Sequence, residues 1–334
     1  MSTRIHRPLR TLAALAAAAL LLAACDGGGG PTEIATPLSV TATGRMERGY
    51  TISLSVSSPE GVLAPTAYSL SVRPADAVQI IDNATLKLLR AGPVSITATA
   101  PRQVGTAELT VAAPPVVLFD RVVAGNRDIW RVDLDGQNLT QLTTDPGDDQ
   151  DPTSAQGTVV FVSYRNGNGE LYSMPLSGGA NTRLTTTARD EITPALSADG
   201  QKLAFAGIEN DLPKLYLAAG NAANPQRVFP SSSLDFGLEV SPAWGPGSTL
   251  AYVGTTGGTA DIYEMVGSAA PSLLAGGNTT AEVEPALSAD GQTLAFVSNR
   301  TGTVEIFLLR LSTGAVTQIT SGAGSKSQPA WTPD

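Results

Sequence analysis

A short phrase built around a proline returns five times in the C-terminal two thirds of the chain. The prolines are Pro152, Pro194, Pro242, Pro285 and Pro329, so successive copies lie 42, 48, 43 and 44 residues apart. An apolar segment with the composition of a β-strand follows each of the first four copies. A period of about 40–50 residues in a strand-rich sequence is typical of a β-propeller, in which each repeat forms one blade.

Each repeat contains the same order of segments. A tight turn such as 198–200 (Ala-Asp-Gly) follows the proline phrase, and its glycine can adopt a positive φ. A second strand, a polar hairpin, a third strand and a short outer strand come next. In the repeat after Pro194 these strands are predicted at 203–206, 214–217 and 227–229. Four strands per repeat correspond to one propeller blade.

One blade is divided between the two ends of this region. Residues 116–119, 128–132 and 139–142 supply a second, third and fourth strand, but no proline phrase precedes them. The last proline phrase, at 328–331, has no strands after it. We therefore predict that the C-terminal strand completes this first blade and closes a five-bladed ring, which would remove two open sheet edges.

The repeat sequence resembles the TolB-type WD40-like propeller repeat (PD40) of bacterial periplasmic proteins. The matching features are the Pro-Ala-Trp and Pro-Ala-Leu-Ser-Ala-Asp-Gly turns, the Phe-Val-Ser strands ending at Ser163 and Ser298, the Leu-Tyr and Ile-Tyr strands, and the run 141–149. The resemblance covers 116–334 and implies a propeller that works in the cell envelope. It departs from TolB itself, which has six blades as a rule and an α/β N-terminal domain.

The N-terminus has the pattern of an export signal. Three arginines precede an apolar run over 12–24, which is too short for a stable membrane-spanning helix. The run ends in Leu-Ala-Ala before Cys25, which resembles a bacterial lipobox and implies lipidation of Cys25 after removal of 1–24. The alternative is a free cysteine in an ordinary cleaved signal. Residues 25–32, rich in glycine, are predicted to form a flexible tether.

The charge of the chain restricts its partners. The formal net charge is −9, and removal of the three leader arginines makes it −12. This balance disfavours nucleic acids and anionic membrane surfaces as partners, so contact with a membrane is expected only through the lipid anchor.

Residues 33–113 are predicted to form a separate domain. About seven short alternating or apolar segments between turn residues favour a β-sandwich, and the end of this region resembles bacterial Ig-like domains. The domain is interpreted as a spacer or an adhesive module. Pro114 and Pro115 form a stiff linker to the propeller, which is assigned to 116–334. The overall fold class is therefore all-β. The predicted sandwich strands are 38–43, 50–56, 67–72, 78–81, 86–89, 94–99 and 107–111.

The residues available for chemistry limit the function further. The only histidine, His6, lies in the leader, which excludes a Ser-His-Asp triad and a histidine-based zinc site from the rest of the chain. The acidic run 145–151 has oxygen ligands that suit Ca²⁺, but its spacing does not match an EF-hand loop. We predict no cofactor, no metal and no enzymatic activity.

One repeated position combines charge with a fixed register. The residue three positions before each repeat proline is charged, and we expect these residues at one mouth of the central channel. There they could bind a cation or a basic peptide; alternatively, each carboxylate accepts hydrogen bonds from a neighbouring loop. The five residues are Asp149, Glu191, Glu239, Glu282 and Lys326.

These observations favour a lipid-anchored binding or scaffold protein of the bacterial cell envelope. Its expected partner is an envelope protein or a peptidoglycan-associated lipoprotein, met by one face of the propeller. A carbohydrate-binding or carbohydrate-cleaving propeller is an alternative, because some five-bladed propellers are glycosidases that use paired carboxylates. A structural spacer or adhesin is the third possibility, and the fold alone does not decide among the three.

Overall fold

The computed structural model describes residues 37–112, 114–229, 237–256, 258–277 and 279–332. The predicted leader, Cys25 and the tether 25–32 lie outside the described residues. The chain divides into two compact units, with the boundary between Pro114 and Pro115. In the described part of the chain, no helix is long and apolar enough to cross a lipid bilayer.

The first unit is a β-sandwich. One sheet has the strand order β1-β2-β6-β5 with β3 paired to β2, and the other has the order β4-β7-β8. The strands are β1 (Ser39–Thr43), β2 (Thr51–Ser58), β3 (Gly61–Val62), β4 (Ser69–Arg73), β5 (Val78–Asp82), β6 (Thr85–Leu88), β7 (Gly92–Ala100) and β8 (Gln103–Val111); a 3₁₀ turn spans Pro65–Ala67.

Alternation of apolar and polar residues explains the core of this sandwich. In β2, Ile52, Leu54 and Val56 point inwards while the serines and threonines between them face solvent. Ile52 packs in one cluster with Leu86 of β6 and Ile96 of β7, so both sheets contribute to the same core. The seven predicted strands are present, and the two-residue β3 is an addition.

Within the described residues, the second unit consists of five antiparallel sheets arranged as blades. Blades 2–5 have four strands each, and the described part of blade 1 has three. Blade 1 contains β9 (Val116–Val123), β10 (Asn126–Asp133) and β11 (Thr140–Gln141); blade 2 contains β12 (Asp149–Ala155), β13 (Thr158–Ser163), β14 (Glu170–Pro175) and β15 (Thr182–Arg183); blade 3 contains β16 (Glu191–Leu196), β17 (Lys202–Glu209), β18 (Leu212–Ala219) and β19 (Gln226–Arg227); blade 4 contains β20 (Glu239–Trp244), β21 (Thr249–Thr256), β22 (Thr259–Val266) and β23 (Ser272–Ala275); blade 5 contains β24 (Glu282–Leu287), β25 (Thr293–Ser298), β26 (Glu305–Arg310) and β27 (Ala315–Gln318).

Each pair of successive blades shares an apolar cluster. Val160 and Leu171 of blade 2, for example, pack against Leu203 and Phe205 of blade 3. Blades 2–5 also place an aromatic pair at directly opposed positions of their second and third strands, with ring centroids 5.5–6.1 Å apart. The pairs are Phe161–Tyr172, Phe205–Tyr216, Tyr252–Tyr263 and Phe296–Phe307.

Every inner strand is bent at the residue before its repeat proline. This residue has φ between 48° and 53° in all five copies, although none of them is glycine. The ladder to the second strand shifts register there in blades 2–5, which is the pattern of a β-bulge. The five bent residues are Asp151, Thr193, Ser241, Glu284 and Gln328.

The C-terminal segment differs from the predicted closing strand. Within the described residues it forms no strand, and β9 pairs only with β10. Gln328 nevertheless keeps the bent conformation of an inner strand, and Trp331 Nε1 donates to the Ala286 carbonyl at 2.9 Å, as Trp244 Nε1 does to Ala195 at 3.0 Å. The described polar contacts that join this segment to the rest of the propeller are made with blade 5.

Candidate functional site

The direction of the strands sorts the loops into two faces. In an antiparallel four-stranded blade, the hairpin between the second and third strands emerges at the same end as the loop that leads to the next blade. We call this end the hairpin face. The opposite end carries the tight turns after the inner strands, such as 197–201, and we call it the turn face.

The structure brings the four predicted acids into one register. Asp149, Glu191, Glu239 and Glu282 are the first residues of β12, β16, β20 and β24, at the hairpin-face end of each inner strand. All four are 0% exposed, so they lie between blades rather than open at a channel mouth. Lys326 occupies the corresponding place in the C-terminal segment and is partly exposed.

A cationic side chain lies near each of these acids. Arg165 Nη2 lies 3.0 Å from Asp149, and Arg300 Nη2 lies 3.0 Å from Glu282. Both arginines also donate to a serine at the end of the second strand and lie over the aromatic pair of their own blade. Charge-assisted bonds to carboxylates and contacts with aromatic faces suit the planar guanidinium group. Acid, arginine and aromatic pair thus form one repeated structural unit.

Blade 3 builds the same unit from a different residue. The hairpin arginine is missing, and Arg189, which precedes the acid Glu191, fills its space instead. Arg189 Nε lies 3.3 Å from Glu191, and its guanidinium group lies 4.2 Å from the centre of the Tyr216 ring. A Cβ on Gly207 would come within 2.7 Å of Arg189 Nε, so the glycine makes room for the displaced arginine.

A second charged position, which the sequence analysis did not single out, recurs in every blade and faces the first position across the junctions that follow blades 2–5. It is the first or third residue of the third strand, where the chain has four acids and one lysine, all buried. Lys214 Nζ lies 3.9 Å from Glu239, and Lys326 Nζ lies 3.7 Å from Glu305. The sequence does carry the signal, because a charged residue precedes each Leu-Tyr, Ile-Tyr or similar strand. The residues are Asp128, Glu170, Lys214, Asp261 and Glu305.

Burial changes the acidity of several of these carboxyl groups. Desolvation raises the pKa of Asp149 above its usual value, although Ser163 and Arg165 oppose the change. Desolvation and the neighbouring Glu170 raise the pKa of Glu191 to about 7. Desolvation likewise raises the pKa of Asp261, with a smaller contribution from the charge of Glu282.

The bent residues before the prolines meet near the centre of the blades. The backbone N–H of Thr193 donates to the Asp151 carboxylate, that of Ser241 to Thr193 Oγ1, and that of Gln328 to Glu284. Burial raises the pKa of Asp151, and the charges of Asp120 and Glu284 add to the effect. Asp151 of blade 2 and Glu284 of blade 5 are therefore close enough to interact across the centre.

The hairpin face is uneven in height. The ladders of blades 2 and 5 end at Ser163 and Ser298, whereas blade 3 continues for two further residue pairs, to Glu209 and Leu212. Two pairs make a hairpin about 7 Å taller. The raised tips expose apolar side chains: Val122, Val123 and Leu212 are each more than 40% exposed.

Carboxylates of the acidic run 145–151 bind neighbouring backbone N–H groups or an arginine. Asp145 Oδ1 accepts the backbone N–H of Gly147, and Asp148 Oδ1 accepts that of Arg127. Asp149 binds Arg165 as described above. Across the described ranges, no group of three or more His, Cys, Asp or Glu side chains is arranged to hold a metal ion.

Comparison with known proteins identifies the propeller. Residues 187–334 match the family model described as PD40, TolB beta propeller domain. A protein TolB homolog of Chlorobium luteolum (strain DSM 273 / BCRC 81028 / 2530) is 33% identical over 123 residues, which are 37% of this chain and 27% of that protein. The matched region thus spans about a quarter of the relative's length.

Two solved structures share the fold at low sequence identity. TolB from Acinetobacter baumannii has a TM-score of 0.57 and 17% identity, over 78% of this chain and 71% of that one. A putative TolB from Agrobacterium tumefaciens has a TM-score of 0.54 and 20% identity, over 65% of this chain and 75% of that one. These two structures share the β-propeller fold with this chain, and the similarity to the PD40, TolB beta propeller domain model is confined to residues 187–334.

Proposed function

We propose that the chain is a lipid-anchored binding or scaffold protein of the bacterial cell envelope. Its propeller presents the hairpin face to a protein partner, either another envelope protein or a peptidoglycan-associated lipoprotein. The sandwich acts as the spacer between the anchor at Cys25 and the propeller. The similarity to TolB-type propellers supports the binding role and the location in the envelope.

The raised tips of the hairpin face are the observation on which this proposal rests. Val122 and Val123 of blade 1 and Leu212 of blade 3 stand above the shorter hairpin of blade 2. Exposed apolar side chains on a rigid scaffold, surrounded by polar loops, are characteristic of protein-binding surfaces. The buried acid and arginine pairs beneath them fix the hairpins in place.

The charge of this face defines the chemistry of the partner. Asp148 and Asp211 are exposed, and Asp190 is partly exposed, on loops of blades 2 and 3. A chain of net charge −9 also attracts cationic surfaces over a distance. The partner is therefore expected to bring basic residues around an apolar centre, and the association rate should fall with added salt.

A non-enzymatic role is part of the proposal. Asp149, Glu191 and Glu282 are 0% exposed, and each forms an ion pair with an arginine. Carboxylates committed in this way serve packing better than general acid-base catalysis, which needs a group within reach of a substrate. A partner could reach these acids only if the hairpins moved apart.

Binding variants test the surface directly. Val122→Ser combined with Leu212→Ser should weaken capture of a peptidoglycan-associated lipoprotein by the propeller at least tenfold in Kd. The matched control is Leu134→Ser with Val266→Ser, which removes equally exposed apolar side chains near the turn face and should leave Kd unchanged. Equal loss in both variants, or selective capture of a sugar polymer, would contradict the proposed surface.

The anchor is tested separately. Cys25→Ser should abolish incorporation of labelled fatty acid and release the protein from the membrane fraction, because one thiol carries the diacyl group and two or more chains are needed for stable anchoring. Unchanged fatty-acid labelling in this variant would show that the lipoprotein interpretation is wrong.

A further inference from the structure

Two carboxyl groups meet in the junction between blades 2 and 3. Glu170 begins β14 and Glu191 begins β16, and both side chains are 0% exposed. They occupy the positions at which Lys214 meets Glu239 and Lys326 meets Glu305 at other junctions, 3.9 and 3.7 Å apart, so the two carboxyl groups face each other across this junction. Two carboxylates cannot hydrogen bond to each other, because both are acceptors, unless one of them carries a proton.

The remaining contacts of the two side chains involve Oε1 of each carboxyl group and leave Oε2 without a hydrogen bond. Glu170 Oε1 accepts from Arg183 Nη2 at 2.7 Å and from Asn168 Nδ2 at 3.3 Å. Glu191 Oε1 accepts from the Thr187 hydroxyl at 2.5 Å and pairs with Arg189. Both Oε2 atoms are buried and make no hydrogen bond in the described structure, and the Thr185 hydroxyl, which lies beside both groups, carries only one proton. A single proton between the two groups would satisfy both oxygens.

At two other places in the same propeller, a lysine supplies the positive charge that the proton would supply here. Between blades 3 and 4, Lys214 stands at the position of Glu170 and faces Glu239. Between blade 5 and the C-terminal segment, Lys326 stands at the position of Glu191 and faces Glu305. In both places a lysine supplies the positive charge between blades that the blade 2–3 junction lacks in this position.

We propose that Glu170 and Glu191 share one proton at neutral pH and form a proton-dependent clamp between blades 2 and 3. The clamp tightens when the proton is held and loosens when both groups ionise. It would make the rigidity of the hairpin face, and so any binding there, responsive to the pH outside the cell membrane.

The positive charges around the pair are fewer than the acids that they face, which favours retention of one proton. Arg183 on β15 approaches Glu170, and Arg189 on the preceding loop approaches Glu191 while lying against Tyr216. Asp190 adds a negative charge beside the pair and accepts the backbone N–H of Gly169. On β18, the adjacent Lys214 is directed at Glu239 instead. Two partly exposed arginines thus face three acids.

The sign of the expected pH effect follows from the acidity of Glu191. Burial and Glu170 raise its pKa to about 7 from an ordinary value of 4.5. Its contribution to stability is complete below the unfolded-state value and is lost as the pH rises through the folded-state value. Over this window the unfolding equilibrium of the propeller should change on the order of 100-fold in favour of the unfolded state.

Urea unfolding of the whole protein between pH 5 and pH 8.5 tests the clamp. In Glu191→Gln the neutral amide replaces the protonated carboxyl group, so most of this pH dependence should disappear and stability at pH 5 should change little. Glu170→Gln removes the charge that raises the pKa of Glu191, so it should also flatten the pH dependence, but it breaks the pair with Arg183 and should lower stability at pH 5 as well. The control Glu239→Gln, at the lysine-containing junction, should be less stable at every pH and keep the wild-type slope.

A direct titration keeps the proposal testable if a variant does not fold. Carbon-13 NMR of the wild-type protein with labelled glutamate carboxyl groups should show an ionisation midpoint near pH 7, assigned to the coupled pair. The proposal is overturned if every labelled glutamate ionises below pH 5.5, or if both glutamine variants fold and retain the wild-type pH dependence.

Discussion

The two units of this chain bury different types of residue. The sandwich core is almost entirely aliphatic, and its buried charged residues, Glu47 and Arg48, lie at its margin with 9% exposure each. The propeller buries carboxylates at the junctions between blades, most of them at 0% exposure, and Lys214 at the junction between blades 3 and 4. The sandwich should therefore respond to loss of apolar volume alone, whereas the propeller should respond to loss of volume, charge and protons.

This difference indicates how similar interfaces between repeated blades are kept in one register. Apolar clusters between blades are similar to one another and would tolerate sliding, whereas Glu239, which must meet Lys214 across the junction between blades 3 and 4, accepts one register only. Buried ion pairs add little net stability, because desolvation offsets the attraction, but removing one partner is costly. We interpret the charges as determinants of register between blades. The sandwich aligns its strands through alternation and does not need them.

The largest expected effect is loss of core volume in the propeller. Phe205→Ala removes a fully buried ring that packs between blades 2 and 3, and should destabilise the propeller by about 3–5 kcal/mol. The apolar clusters of the sandwich contain no propeller residue, so its unfolding transition should be unchanged. Calorimetry of the whole protein should resolve this change.

The reciprocal change completes this test. Leu86→Ala in the sandwich should lower only the sandwich transition, by about 2–5 kcal/mol. If either variant shifts both transitions equally, the two units do not unfold independently and the comparison between them fails.

The next effect in size concerns the buried charges. Glu239→Gln with Glu282→Gln keeps the side-chain shape but removes the charges that face Lys214 and Arg300, and should cost the propeller about 2–4 kcal/mol. Affinity for a partner should not change, because both acids are buried beneath the hairpin face.

The opposite result would separate the two interpretations of these acids. If the double variant keeps its melting temperature but binds its partner more weakly and with less sensitivity to salt, the acids belong to the binding site. Melting and binding must be measured on the same preparation for this conclusion.

The C-terminal segment should have a smaller effect. Deletion of 325–334 removes Lys326 from the buried Glu305 and the indole hydrogen bond of Trp331, and should cost about 1–3 kcal/mol. The sandwich transition should again stay constant. Trp331→Ala is the matched point variant and should reproduce about 1 kcal/mol of this loss.

Hydrogen exchange shows whether this segment also closes the ring. The inner edge of β9, which faces the centre of the propeller, is unpaired in the described structure, so the amides on that edge should exchange quickly in the wild type and in the deletion variant alike. Strong protection of Val116–Val123 that disappears on deletion would restore the predicted strand closure.

The spacing of the prolines was sufficient to predict the blades, because one repeat encodes one local unit of structure. The register of Asp149, Glu191, Glu239 and Glu282 followed from the same spacing. Their burial did not, because it depends on which residue of the neighbouring blade lies opposite. Arg189 shows why the sequence alone was insufficient. It pairs with the acid of blade 3 as Arg165 does in blade 2, but it comes from a different loop, and only the space that Gly207 leaves for its side chain explains the substitution.

The smallest expected effect has a pH dependence opposite in sign to that of the clamp. On the turn face, Asp199 and Asp290 each accept a serine hydroxyl at 2.6 Å and a backbone N–H at 3.0 Å, which lower their pKa below the ordinary value of 3.8. Their stabilisation is therefore present above that value and is lost as the pH falls through the folded-state pKa.

Asp199→Asn with Asp290→Asn should lower the melting temperature of the propeller slightly at pH 7, since both turns lie in water and the bonds are screened. The difference from the wild type should shrink below pH 4, where the wild-type carboxylates begin to be protonated. The sandwich transition in the same scans is the internal control. A difference that stays constant from pH 7 to pH 3 would mean that the turns depend on side-chain shape and not on charge.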